Sequence, residues 1–201
     1  MTYSDFTLEL VEQVLGVRVQ PADLFPALSP LAVPTWLQDL LEKGKQLALI
    51  SEKARSEFIV APILLASREL SHNTVAIYSG QRLDVQPEHG LVGECDFILS
   101  ATTPVPVLHA HIVTIVEAKK NDVEGGLGQC AAQMAGAHLL NQKEGREGVG
   151  VFGCVTTGET WQFLQLHQSD LSLDRQRYYL DNVGAILAVF QAMIAAFCSQ
   201  A

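Results

Sequence analysis

The sequence predicts an α/β protein, a mixed β-sheet with helices on both faces, and three observations predict it. Helical and extended patterns follow one another in the order helix, strands, helix, strands, helix. The stretch I-V-T-I-V-E-A-K-K, residues 112–120, is apolar on both sides of its two-residue repeat, as a strand covered on both faces should be. Residues 125–141, rich in Ala and Gly, form a helical pattern that can lie close against such a sheet.

Each element has its own signal. Residues 1–20 contain T-L-E-L-V-E-Q-V-L-G-V, a short amphipathic helix ending near Gly16. Pro21, Pro26, Pro30 and Pro34 make residues 21–34 a rigid irregular connection. Thr35 is placed to cap a second helix, W-L-Q-D-L-L-E-K-G. Ser51 is placed to cap a third, running through S-E-K-A-R-S-E-F-I-V-A-P-I-L-L-A-S-R-E-L, with Pro62 expected to kink or split it. Strands are expected at residues 75–78 and 82–85, joined by a Ser79-Gly80 turn, and at 91–100 and 111–119. Residues 149–156 and 160–166 pair as a hairpin across Thr157-Gly158-Glu159, and residues 175–180 make a last edge strand. Residues 183–198 close the chain as an apolar helix.

Composition narrows the function classes. Hydrophobic residues are 48% of the 201 and charged residues 17%, enough apolar material for a core and against wholesale disorder. The net charge of −9 opposes long-range attraction to phosphate and leaves room only for a local basic groove. No basic, then apolar, leader opens the chain, and the apolar stretch at 183–198 is interrupted by Gln191. The expectation is a cytoplasmic protein that does not enter the membrane, its last helix packed and available as a homodimer interface. Cys95, Cys130, Cys154 and Cys198 form no C-x-x-C pair and stand at no zinc spacing from a His, so reduced, buried thiols are expected. Gly125, Gly126 and Gly128 match no nucleotide-binding loop, and there is no G-x-S-x-G and no evident Cys–His pairing to support a Ser or Cys nucleophile.

The chemistry concentrates where the strand 112–118 ends. Alternation puts Val113, Ile115, Glu117 and Lys119 on one face and Ile112, Thr114, Val116 and Ala118 on the other. Charge on a covered strand is costly without partners. The preceding strand, in G-L-V-G-E-C-D-F-I-L-S, supplies one: Asp96 shares a face with Glu94 and Ile98, and a chain reversed near residue 106 sets Asp96 opposite Glu117. Two such carboxylates repel unless one is protonated or a cation lies between them. Mg²⁺ suits this donor set, and Lys119 could hold a water or offset charge on a phosphate. An ordinary ion cluster capping a strand end uses the same three residues.

The ordered set of Glu57 on a helix, Asp96 on a strand, Glu117-Ala118-Lys119 on the next strand and Gln129 with Gln133 on the following helix resembles the PD-(D/E)XK nuclease superfamily. The resemblance spans roughly residues 50 to 166, and the S-E-K-A-R-S-E-F and T-T-G-E-T-W stretches resemble a bacterial, especially cyanobacterial, branch. It implies a restriction-endonuclease-like mixed sheet flanked by helices over residues 51–201, with residues 1–50 as a helical extension packed on it. It implies a Mg²⁺- or Mn²⁺-dependent nuclease acting on DNA. Asp96, Glu117 and the Ala118 carbonyl would be metal ligands, with Glu57 completing the acidic cluster through a metal-bound water and Glu52 its substitute. Lys119 would position or activate the attacking water. Gln129 and Gln133, one helical turn apart, resemble the glutamine motif bordering the site, with Lys120 on the substrate side. Cys95 stands where the superfamily's name has Pro. The competing expectation is a catalytically inactive scaffold or regulatory module on the same fold.

The remaining polar residues carry weaker expectations. His109 and His111 are read as solvated loop residues and His138 as a packed or surface histidine. Lys53, Arg55, Lys143 and Arg146 fit either a phosphate-binding rim or surface ion pairs. Trp36 and Trp161 are read as packing residues.

Overall fold

The computed structural model describes residues 1–48, 51–145 and 150–200, with side chains of the last helix through Phe197. One seven-stranded mixed sheet crosses the molecule, in the order β1-β7-β6-β5-β4-β3-β2. Its strands are β1 (Arg18–Ala22), β2 (Ala76–Arg82), β3 (Glu94–Ser100), β4 (Ile112–Ala118), β5 (Val151–Thr156), β6 (Thr160–His167) and β7 (Asp170–Tyr179). The β1–β7 and β4–β5 pairs are parallel and the others antiparallel. Helices α2 (Thr35–Ala48), α4 (Ala61–Leu70) and α6 (Val183–Gln200) cover one face. Helices α1 (Leu8–Leu15) and α5 (Glu124–Lys143) cover the other.

β4 and β5 are buried along their whole length, which is why their sequences are apolar on both faces. A β-bulge alters the faces at the start of β4. Leu99 pairs with Thr114 and Ser100 with Ile112, so Val113 is the extra residue. Ile112 therefore joins Ile115 in the core under α5, and Val113 joins Val116 in the opposite core. The simple alternation that grouped Val113 with Glu117 fails upstream of the bulge and holds downstream of it.

Three further expectations are corrected. Residues 18–22 form an edge strand, β1, outside β7, with Pro21 tolerated because an edge can spare a donor. The chain ahead of residue 50 is thus no purely helical extension: it adds a strand to the sheet and sends Tyr3, Phe6 and Leu37 into the two cores. Ser79-Gly80 does not turn the chain. Gly80 has φ 62°, yet Ser79 and Gln81 pair with Phe97 and Cys95, so β2 continues through a local kink. Finally, residues 175–180 are the second half of a longer strand, whose first half is covered by β1. Of the hairpin's first strand, residue 149 lies outside the described residues.

The third predicted helix is continuous in space but changes winding. Ser51 caps α3 (Glu52–Arg55) by accepting the Ala54 N–H at 3.0 Å. A π-turn, Ser56–Val60, joins it to α4. Pro62 accounts for the turn: it has no N–H to offer the Phe58 carbonyl. Gly44 of α2 packs against that carbonyl so closely that a Cβ there would stand 2.6 Å from it.

α6 is long and apolar enough by length and composition to cross a membrane. Here Ile186, Leu187, Val189, Phe190, Met193, Ile194 and Phe197 are spent on the core, where Phe190 meets Trp161 and Phe163 edge-on. The apolar residues that suggested an interface are thus largely internal. Cys95, Cys130 and Cys154 are buried free thiols, and the side chain of Cys198 lies outside the described residues.

Candidate functional site

β4 ends at Ala118, where the sheet opens between α3 and the first turn of α5. The β3–β4 register pairs Phe97 with Val116, and one step further sets Asp96 beside Glu117. The ladder does not continue in regular form. The Asp96 side chain replaces it, Oδ2 accepting the Ala118 N–H at 2.7 Å. On the other flank the Lys119 N–H donates to the Thr156 carbonyl at 2.7 Å. Ladder alternation therefore turns both the N–H and the carbonyl of Ala118 toward β3, beside Asp96.

Glu117 is 3% exposed and faces α5. Its Oε1 accepts from Lys119 Nζ at 2.8 Å and from Gln129 Nε2 at 2.6 Å, and its Oε2 accepts from Gln133 Nε2 at 3.0 Å. Lys119 Nζ also donates to Gln129 Oε1 at 2.9 Å, closing a triangle of Glu117, Lys119 and Gln129. Gln129 and Gln133 share a face of α5 because they are one turn apart. Gln133 is fully buried; its Nε2 also donates to the Glu94 carbonyl at 3.3 Å, while its Oε1 has no hydrogen-bond partner. Gly126 lets α5 come this near, since a Cβ there would stand 3.0 Å from the Lys119 stem and 2.6 Å from Val155.

Asp96 also borders the α3 side of the strand end. With Glu94 it lines a cleft of about 420 Å³ whose other wall is Glu52, Lys53, Ser56 and Glu57. The expected grouping of Asp96 with Glu94 holds along this wall, whereas Ile98 points into the core under α5. Opposite Asp96 stands Gly80, where β2 kinks. Asp96 Oδ1 has no protein donor among the described residues.

Burial pushes the Glu117 carboxyl up to about 7, the Asp96 charge adds to this, and the Lys119 ammonium with the Gln133 amide opposes it. Burial also raises Asp96, against the pull of the Ala118 N–H and Lys119, with Glu52 and Glu94 adding to the rise. Burial lowers Lys119, but Glu117, Asp96 and Glu52 together outweigh it and hold the ammonium above the ordinary lysine value. Two desolvated carboxylates, one of them raised further by the charge of the other, are what a cation would relieve. Among the described residues no group of three His, Cys, Asp or Glu side chains converges on one point. An ion here would be held by two carboxylates, completed by the Ala118 carbonyl and water. That all-oxygen set fits Mg²⁺ or Mn²⁺.

The other expected residues divide. Glu57 lines the cleft but its side chain is 55% exposed, and Lys53 approaches it at 3.9 Å as a surface ion pair. Glu52, one residue after the cap, is the helix carboxylate whose charge reaches both Asp96 and Lys119. The side chain of Lys120 is exposed, and its carbonyl accepts from Arg55. Lys143 lies elsewhere, bonded to the Val85 carbonyl at 3.3 Å, and Arg146 lies outside the described residues. His109 is exposed at the far end of β4, and His138 is buried beside Gln142. Trp161 is fully buried, donating to the Gly158 carbonyl, and Trp36 is partly buried, donating to Glu69. The sequence offered Arg55 as part of a phosphate rim or a surface ion pair; its acceptors are instead backbone carbonyls, which leave no mark in a sequence.

No family model matches the chain, and no curated protein matches it.

Proposed function

We propose that this chain is a divalent-cation-dependent nuclease on a restriction-endonuclease-like, PD-(D/E)XK core, hydrolysing DNA phosphodiester bonds. The observation that carries the reading is the meeting of two raised carboxylates, Asp96 and Glu117, with the Lys119 ammonium at one strand end beside an open cleft. Asp96, Glu117 and the Ala118 carbonyl would hold Mg²⁺ or Mn²⁺, with Glu52 or Glu57 reaching it through water. The ion would supply Lewis acidity and a bound water of lowered pKa.

The remaining work falls to the chain's own groups. Lys119 keeps its proton, because Glu117, Asp96 and Glu52 favour the charged form. It thus serves as a fixed cation that orients the attacking water and offsets charge on the phosphate. Gln129 fixes that cation by accepting from Nζ while donating to Glu117. Gln133 holds the second oxygen of Glu117 and ties it to the backbone of β3. The acidic wall of the cleft repels a bare phosphate backbone, so substrate and ion would bind together.

One observation favours the inactive-scaffold reading: both oxygens of Glu117 already accept protein donors. Mn²⁺-dependent cleavage of a panel of linear, single-stranded and branched DNA decides between them. Wild type, Lys119→Ala and Asp96→Asn are purified identically and run in parallel. Cleavage by wild type alone supports the nuclease. Equal cleavage by all three rejects this site, and cleavage by none of them leaves the scaffold.

A further inference from the structure

We propose that Arg55 is a positioning residue that fixes the Lys119 end of β4. The role rests on the nuclease reading only for its effect on catalysis; the structural claim stands without it. Arg55 is the last residue of α3, just ahead of the π-turn. Its Nε donates to the Ala48 carbonyl at the end of α2, at 3.2 Å. Its Nη1 donates to the Thr157 carbonyl at 3.1 Å and to the Lys120 carbonyl. Lys120 directly follows Lys119, and Thr157 directly follows Thr156, whose carbonyl accepts the Lys119 N–H. One guanidinium therefore grips the chain one step past Lys119 on β4 and one step past its neighbour on β5.

That grip stands in for a missing ladder. The β4–β5 pairing ends at Ala118 and Thr156, and past it the Lys119 N–H bond to the Thr156 carbonyl is the last backbone tie between the two strands among the described residues. The Lys119 stem lies against Gly126 on the α5 side, and Arg55 supplies the stop on the α3 side. With both in place the ammonium reaches Glu117 and Gln129 at 2.8 and 2.9 Å. Among the described residues no carboxylate pairs with Arg55, so its charge is committed to carbonyls through charge-assisted bonds, which are stronger than neutral ones. A planar fork reaches the three carbonyls from two separate nitrogens, whereas a lysine offers its three N–H donors from a single point. The donors of Arg55 that the sequence offered to a phosphate rim or a surface ion pair are thus spent on backbone carbonyls.

The test reads the position of Lys119 and needs no catalysis. The cation-free full chain is acylated with trace acetic anhydride. Lys119 labelling is then measured against exposed Lys43 by mass spectrometry, in wild type, Arg55→Gln and Arg55→Lys. Releasing the charge-assisted bonds should raise relative Lys119 labelling about tenfold or more in Arg55→Gln. Arg55→Lys should fall between, and added guanidinium ion should restore protection in Arg55→Ala. Circular dichroism confirms that each variant is folded, and if Arg55→Gln is not, Arg55→Lys decides. Wild-type labelling of Lys119 in a folded variant overturns the proposal. If the wild type cleaves DNA, Arg55→Lys should lower kcat and leave KM within about twofold. A chain that cleaves nothing leaves the labelling result intact, so failure of the nuclease reading and failure of this one are told apart.

Discussion

Glu117 ties the stability of the cation-free protein to pH, and the sign follows from burial. In the unfolded chain its carboxyl ionises near 4.5; in the folded chain burial, then the Asp96 charge, move it to about 7. The folded state therefore keeps a proton that the unfolded state has lost. Stability from this group is fully present below 4.5 and drains away as pH rises through about 7. The interval is 7 − 4.5 = 2.5 pH units. At about 1.36 kcal/mol per unit, it amounts to about 3 kcal/mol. Urea unfolding in the presence of a chelator, followed from about pH 4.5 to about pH 8, measures it. Wild type should lose that stability across the interval, and Glu117→Gln, which cannot titrate, should lose far less. Parallel loss in the two proteins would mean that Glu117 ionises at its ordinary value when folded, and would remove the electrostatic case for a cation between the carboxylates.

Two further outcomes follow from the same geometry. If the carboxylate pair takes up Mn²⁺, the ion and the shared proton compete, so calorimetry in buffers of different ionisation enthalpy should show up to about one proton released near pH 6 and none near pH 9; release unchanged between the two would refute the competition. On α5, a Cβ at Gly136 would stand 2.2 Å from the Tyr3 hydroxyl, a buried group with no hydrogen-bond partner. Gly136→Ala should cost about 1–3 kcal/mol in urea unfolding, and Tyr3→Phe in the same chain should recover most of it. Additive effects of the two changes would show that the clash is relieved elsewhere.

How far the fold could be read depended on whether a segment declares its own burial. β4 and β5 did, because strands covered on both faces need apolar residues at nearly every position, and β6 followed from the short turn that joins it to β5. β1 did not: R-V-Q-P-A is five residues at an edge, mostly exposed, and carries a proline, so its pairing with β7 is a long-range fact without a local signal. At Gly80 the local signal was present but outweighed. Ser-Gly favours a turn, and the glycine does take φ 62°, yet pairing to β3 on both sides of it keeps the strand intact. The bulge at Val113 was illegible for a different reason: where every residue is apolar, hydrophobicity cannot report which face each one takes.

The neighbourhood of β4's end was legible in the same proportion as its members are conspicuous. Charges on a covered strand need partners, so Glu117 and Lys119 announced themselves, and antiparallel geometry led from Glu117 to Asp96. The helix carboxylates were harder. The resemblance pointed to Glu57, with Glu52 as its substitute, but the π-turn before Pro62 takes an extra residue and rotates everything N-terminal to it relative to α4. Glu57 is left at the solvent side of the cleft, and Glu52 becomes the carboxylate whose charge reaches Asp96 and Lys119. The same rotation accompanies Arg55 on its course toward the end of β4, where its acceptors are carbonyls that any residue could supply. The proline thus acts at a distance of several residues: by denying one backbone hydrogen bond it helps decide which acid and which base stand over the strand end.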